Sequence, residues 1–244
     1  MATCAQAGEK GLLFVTAFAS GTRQGELLAA QRRYADLDRG VVWILQDLER
    51  PRGGGFRFGD VKTEHARRPV RLPRPLVEEL RSLRARQRAE RLRRGPCEAG
   101  AGCRQRHCPR WHDFDLIFCQ ANGKPLPGHN LTRRDLKALC ARAGVPAIRF
   151  HDLRHLHNTT LMREGVNPKI VKERAGHASV SFTLEKYSWV TPDMQELAVD
   201  ALARSLAAAT EMLPESVVPE LGRRSGDLLE ARVHGGEGGA GDGI

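Results

Sequence analysis

Apolar residues recur at helical spacing on both sides of one stretch, residues 41–72, where the pattern changes to that of strands. That switch predicts a mainly helical α+β fold with a small antiparallel sheet packed beside a helical bundle. Before it, Leu12, Leu13, Val15, Phe18, Leu27 and Leu28 mark a helical stripe, which Ser20-Gly21-Thr22 divides into two helices. Within it, Val41 to Leu45 reads as a strand, Pro51 to Gly55 as a turn, and Val61 to Leu72 as returning extended chain, giving two or three strands. Pro69 lacks a backbone donor, so the last strand is expected at an edge.

After the sheet, Leu76, Val77, Leu80 and Leu83 resume helical spacing, and residues 81–94 then hold seven arginines. This predicts a helix that runs out into solvent. A cysteine- and glycine-rich insert, Cys97 to His112, separates it from the apolar Leu116-Ile117-Phe118. From Thr132 the chain reads as helix, with breaks at Gly144 to Pro146, Gly165 to Pro168 and Gly176-His177. The alanine-rich stretch Asp200 to Met212 is amphipathic. Six glycines in the last ten residues predict a disordered tail.

The 244 residues carry 39 Lys and Arg against 29 Asp and Glu, a net charge of +10 that favours a polyanionic partner, nucleic acid first. An arginine-rich proteome is the bland alternative. No apolar run approaches the ~20 residues needed to span a bilayer, and MATCAQAGEK lacks the order of a secretion leader. A soluble, cytoplasmic protein is expected, with its six cysteines as reduced thiols.

Five segments place basic or nucleophilic groups at break points: Gly21-Thr22-Arg23-Gln24-Gly25-Glu26, Val61-Lys62-Thr63, Phe150-His151-Asp152-Leu153-Arg154-His155, Ala175-Gly176-His177-Ala178-Ser179 and Glu185-Lys186-Tyr187-Ser188. In this order they resemble the catalytic domain of tyrosine recombinases, the phage-integrase family, from about Leu12 to about Arg204. The resemblance implies a site-specific recombinase or integrase from a mobile element or prophage, which cuts DNA with a tyrosine and keeps the bond energy as a 3′-phosphotyrosyl ester. It implies double-stranded DNA as partner, a homo-oligomer on that DNA, and no metal or other cofactor in the chemistry. Residues 1–204 are then the catalytic domain with an insert at 95–112, and residues 205–244 a helix end and tail. Only 22 residues precede Arg23, so an N-terminal clamp domain is expected to be missing.

The residue types suit that chemistry. Two guanidinium forks, Arg23 and Arg154, can hold the non-bridging phosphate oxygens as charge develops on them, and His177 can add a hydrogen bond. About one tyrosine phenol in a thousand is ionised at neutral pH, so Tyr187 needs help, with His151 as the matching base. Lys62 matches the general acid that protonates the departing 5′-oxygen.

Plainer readings stand beside these. Arg23 and Glu26 are spaced for an ordinary i,i+3 ion pair, Lys62 for an edge-strand lysine, His177 for a helix cap and Tyr187 for a core aromatic. A non-catalytic DNA-binding remnant and a type IB topoisomerase-like relaxing enzyme are the competing functions. His151 and His155 stand four apart, yet no third ligand matches and Arg154 between them would repel a cation. Cys97, Cys103, His107, Cys108 and His112 form a second metal candidate, but without a CxxC pair reduced thiols on a solvent loop are the expected state.

Overall fold

The computed structural model describes residues 4, 6–51, 55–61, 66–100, 103, 105, 108–177, 179–181, 183, 199–200 and 202–204. Lys62, His107, Tyr187 and the tail from residue 205 lie outside them. The chain divides into Met1–Trp189 and Val190–Ile244, and the described residues of the second unit, 199–200 and 202–204, are helical and exposed.

Two helices open the first unit. Helix α1 (Gly8–Ser20) buries Leu13, Phe14 and Ala17, and stops where Gly21 turns left-handed (φ 64°) and its N–H reaches Ala17 O at 3.0 Å. Helix α2 (Gln24–Ala29) follows at once, as the Ser20-Gly21-Thr22 break predicts. A 3₁₀ turn, Arg32–Tyr34, leads to the strands β1 (Ala35–Asp36), β2 (Val41–Ile44), β3 (Gln46–Glu49), β4 (Arg57–Asp60) and β5 (Arg68–Arg71). They form two antiparallel ladders, β1-β2-β5 and β3-β4. Strand β5 is an edge strand with Pro69 opposite Trp43, where a missing donor costs no ladder bond.

Two strands depart from the sequence reading. The strand after the turn starts at Arg57 rather than Val61, because Arg57-Phe58-Gly59-Asp60 offers a single large apolar side chain and no alternation. Strand β1 has only two residues, too few for a period.

Helix α3 (Arg74–Arg94) buries Leu76, Val77, Leu80, Leu83 and Gln87. It runs out into solvent as expected, with Leu92 85% exposed, except at its last residue. Arg94 Nη1 donates to Pro109 O at 3.0 Å and Arg110 Nη1 to Arg94 O at 3.2 Å, so the insert folds back on the helix terminus. Buried Gln87 donates to Ile117 O at 3.1 Å and accepts from Arg32 Nη2 at 2.6 Å, which ties the helix to the Leu116-Ile117-Phe118 strip.

The rest of the unit is helical: α4 (Gly128–Asn130), a π-helical stretch Leu131–Leu136, α5 (Lys137–Arg142), α6 (Phe150–Arg163) and α7 (Pro168–Ala175). Left-handed Gly144, Gly165 and Gly176 separate them, as the sequence breaks predict. Helix α6 lies on α1 through Phe14 against Phe150 and Phe18 against His157. A continuous core that includes Leu13, Val70, Leu83, Leu131 and Phe150 joins helices and sheet, so the breaks between helices are held in fixed relation.

Candidate active site

Arg23 caps the start of α2, immediately after the left-handed Gly21. Its backbone N–H donates to Glu26 Oε2 at 2.9 Å and its Nη1 to Oε1 at 2.6 Å. The i,i+3 pair foreseen as a surface contact therefore has a buried acid, only 2% exposed. Glu26 Oε2 also accepts from Arg68 Nη2 at 2.9 Å, and the remaining donors of buried Arg68 reach Ala66 O at 2.8 Å and Arg174 O at 2.7 Å. Burial pushes the Glu26 carboxyl up, but the charge and hydrogen bond of Arg68, joined by Arg23, outweigh it and hold the group below its ordinary range.

Arg154 sits in the second turn of α6, 3% exposed, and its Nη1 donates to Gly21 O at 2.7 Å. Arg154 thus reaches from α6 to the break that Arg23 directly follows in sequence. The break tolerates no side chain, since a Cβ on Gly21 would stand 2.8 Å from His157 Nε2 in addition to its strained φ.

His177 follows Gly176, which ends α7 with φ 65° and leaves room for Arg68 Nη1, 2.7 Å from where a Cβ would be. The His177 ring is buried and shares a 2.9 Å hydrogen bond between Nδ1 and Thr183 Oγ1. Burial pushes its pKa down to about 4, with the charges of Arg154, Arg23, Arg68 and His155 acting in the same direction. Those four groups are therefore within electrostatic reach of one imidazole, which is neutral at pH 7. His151 and His155 stack edge to face at 4.6 Å on α6. Burial and then the charges of His155 and Arg154 hold His151 low as well.

The structure sets Arg23, Arg154 and His177, which the sequence marked, within electrostatic reach of one another, and His151 beside Arg154 and His155 on α6. It adds Glu26, Arg68, His155 and Thr183. Glu26 had a sequence signal in its spacing from Arg23, whereas Arg68 and Thr183 had none. An open cleft of about 750 Å³ borders His177, and Arg39, Arg67, Arg71, Lys172 and Arg174 line it against Asp36 and Glu173. Forks and a neutral imidazole beside a basic cleft suit an anion with several equivalent oxygens, such as a phosphodiester.

Solved structures that share this fold include a transposon integrase and a recombinase. The Tn1549 transposon integrase in complex with circular intermediate DNA superposes with a TM-score of 0.60 at 20% identity, over 79% of this chain and 59% of that one. XerA recombinase gives 0.57 at 20% identity, over 81% and 60%. The phage integrase family model matches residues 2–193, and the chain belongs to that family. A tyrosine recombinase XerC-like protein of Caldanaerobacter subterraneus subsp. tengcongensis is 30% identical over 200 residues, 78% of this chain and 48% of that protein. An integrase of Saccharopolyspora erythraea is 34% identical over 153 residues, 62% and 31%. The chain spans about half the length of the first relative and about a third of the second.

Proposed function

We propose that this chain is the strand-transfer domain of a site-specific DNA recombinase that works through a 3′-phosphotyrosyl intermediate. The observation that carries the reading is the placement of Arg154, bonded to Gly21 O, and Arg23, at the start of α2, both within electrostatic reach of His177. Arg23 and Arg154 hold the two non-bridging oxygens of the scissile phosphate, and their charge is complementary to the transition state. Glu26 fixes the Arg23 fork from beneath. With Thr183 donating to Nδ1, neutral His177 presents an Nε2–H to the same phosphate.

Tyr187 supplies the nucleophile. Its phenolic oxygen bonds to phosphorus as the phosphorus–O5′ bond breaks, with the phenol proton passing to His151 and Lys62 giving a proton to the departing 5′-oxygen. Attack by a 5′-hydroxyl from another strand reverses the steps and reseals DNA without loss of bond energy. A copy of the chain on each half of a paired DNA site supplies one tyrosine per strand. Phosphate contacts dominate binding to double-stranded DNA, so affinity falls steeply between ~50 and ~200 mM salt.

Covalent capture tests the reading. The chain is incubated with fragmented genomic DNA of its source without added metal or nucleotide, denatured, and the attached DNA sequenced beside Tyr187→Phe. Adducts at a shared sequence that vanish in Tyr187→Phe support it. Salt-sensitive binding with no adduct would point instead to a non-catalytic DNA-binding domain.

A further inference from the structure

The insert at 95–112 is not explained by the fold described above. It has little with which to order itself: its fully buried side chains, among the described residues, are Cys108, Trp111 and His112. Yet its ends are closed by Cys97 N–H to Trp111 O and Trp111 N–H to Gly95 O, both 2.9 Å. His112 N–H reaches Asn122 O at 2.8 Å, and Asn122 Nδ2 returns to Cys108 O at 3.1 Å. The expectation of thiols on a solvent loop is replaced by a folded knot.

Ligand atoms of Cys97, Cys103, Cys108 and His112 all lie within 4.8 Å of one another, and the sulfurs of Cys97 and Cys108 are 3.8 Å apart. Tetrahedral zinc with Zn–S of ~2.3 Å and Zn–N of ~2.0–2.1 Å sets its ligands about 3.6–3.8 Å apart. A disulfide needs sulfurs at ~2.05 Å and would leave a third thiol beside the pair. The second observation is independent of the cysteines. His112 is 1% exposed, its Nδ1 is 3.0 Å from Gly100 O, and its Nε2 is buried with no hydrogen-bond partner. An imidazole that donates through one nitrogen to a carbonyl and keeps the other bare is arranged as a metal ligand. Left without an ion, that nitrogen carries the desolvation cost of an unmade hydrogen bond.

We propose that Cys97, Cys103, Cys108 and the Nε2 of His112 bind one structural Zn²⁺. Four protein ligands leave no open position, so the ion orders the insert and takes no part in strand transfer. Binding displaces the thiol protons, and three thiolates with a neutral imidazole give the site a net charge of −1. Lys124 stands at its rim, with Nζ bonded to Gln105 O at 2.6 Å and Cys103 O at 3.3 Å, and offsets that charge. The bound ion does for this segment what a hydrophobic core does elsewhere. Through Trp111 the knot packs with Leu116 and Cys119 against Phe58 of β4, so it braces the end of α3 and the β3–β4 hairpin together.

The test uses the whole chain, expressed with zinc and purified without a metal-affinity tag. Elemental analysis should give about one zinc per chain, retained in Cys4→Ser and lost in Cys108→Ser and His112→Ala. Less than ~0.1 zinc per chain, or a Cys97–Cys108 disulfide in its place, overturns the proposal. Alkylation mapped by mass spectrometry covers the case in which the variants fail to fold. In the wild-type chain Cys97, Cys103 and Cys108 should be protected together and become reactive together when a chelator is added. Reactivity that ignores zinc overturns the proposal. Replacement of zinc by Co²⁺ should produce thiolate-to-metal absorption with the bands of a tetrahedral ion, and an octahedral spectrum would equally rule out this site.

Discussion

Replacing Glu26 with glutamine keeps the shape of the side chain and removes its charge. The carboxylate takes three hydrogen bonds, from the Arg23 backbone at 2.9 Å, Arg23 Nη1 at 2.6 Å and Arg68 Nη2 at 2.9 Å. An amide has one acceptor oxygen and must turn its NH₂ toward one of those donors. Arg68 is buried too and would keep its charge with the carbonyls of Ala66 and Arg174 as its remaining partners. Breaking a buried ion pair from one side costs ~3–5 kcal/mol. Each kcal/mol moves the melting temperature by ~2–4 °C in a domain of this size, so Glu26→Gln should melt about 6–20 °C lower by scanning calorimetry. The pH dependence supplies a second signature. A carboxyl held below its ordinary value stabilises the fold above the unfolded pKa of ~4.3, and that contribution is lost as pH falls through the lower folded value. The gap between wild type and variant should therefore be full at pH 7 and close in acid. A variant that melts within 2 °C of wild type, with a parallel pH curve, would refute the view that Glu26 compensates Arg68 and fixes the Arg23 fork.

Three further outcomes follow from the same geometry. Gly176→Ala adds a left-handed strain of ~1–2 kcal/mol and overpacking of ~1–3 kcal/mol against Arg68 Nη1, and urea midpoints should report a loss of about 2–5 kcal/mol. Arg154→Lys replaces a planar fork by a point charge and loses the aligned donor to Gly21 O, so cleavage of a nicked DNA substrate should fall ~10²–10³-fold; unchanged cleavage would remove Arg154 from the site. His157 and His177 are both pushed down to about 4, chiefly by burial, while an unfolded histidine titrates near ~6.5. The unfolded chain binds protons that the folded chain refuses between those values, so denaturant stability should decline as pH is lowered from ~6.5 toward 4, and a flat profile from pH 7 to 5 would contradict it.

The elements that were legible in the sequence are those governed by local rules. Helix α1 ends at Gly21 and α7 at Gly176 because both positions adopt a positive φ that glycine reaches without strain, and a glycine after an apolar stripe is visible to any reader of the chain. The strand β2 was legible in its apolar run and the edge position of β5 in Pro69, both local features as well. Strands β1 and β4 were not, since one is too short and the other too polar to display a period.

Chain chemistry by itself determined a helical α+β domain with arginine and histidine side chains parked at its breaks, because periodicity and backbone angles act over three or four residues. It left Glu26 looking like a surface charge, Arg68 without any signal and the insert cysteines like loose thiols. Tertiary structure decided which of these are buried together. The Glu26–Arg68 bond closes across 42 residues and the Arg154–Gly21 bond across 133, and such pairings depend on how the core orients whole helices rather than on any neighbouring residue. Burial then changes what the groups are: a carboxylate held acidic, a histidine kept neutral and an imidazole nitrogen buried without a hydrogen-bond partner, since desolvation and charge pairing exist only where distant segments meet.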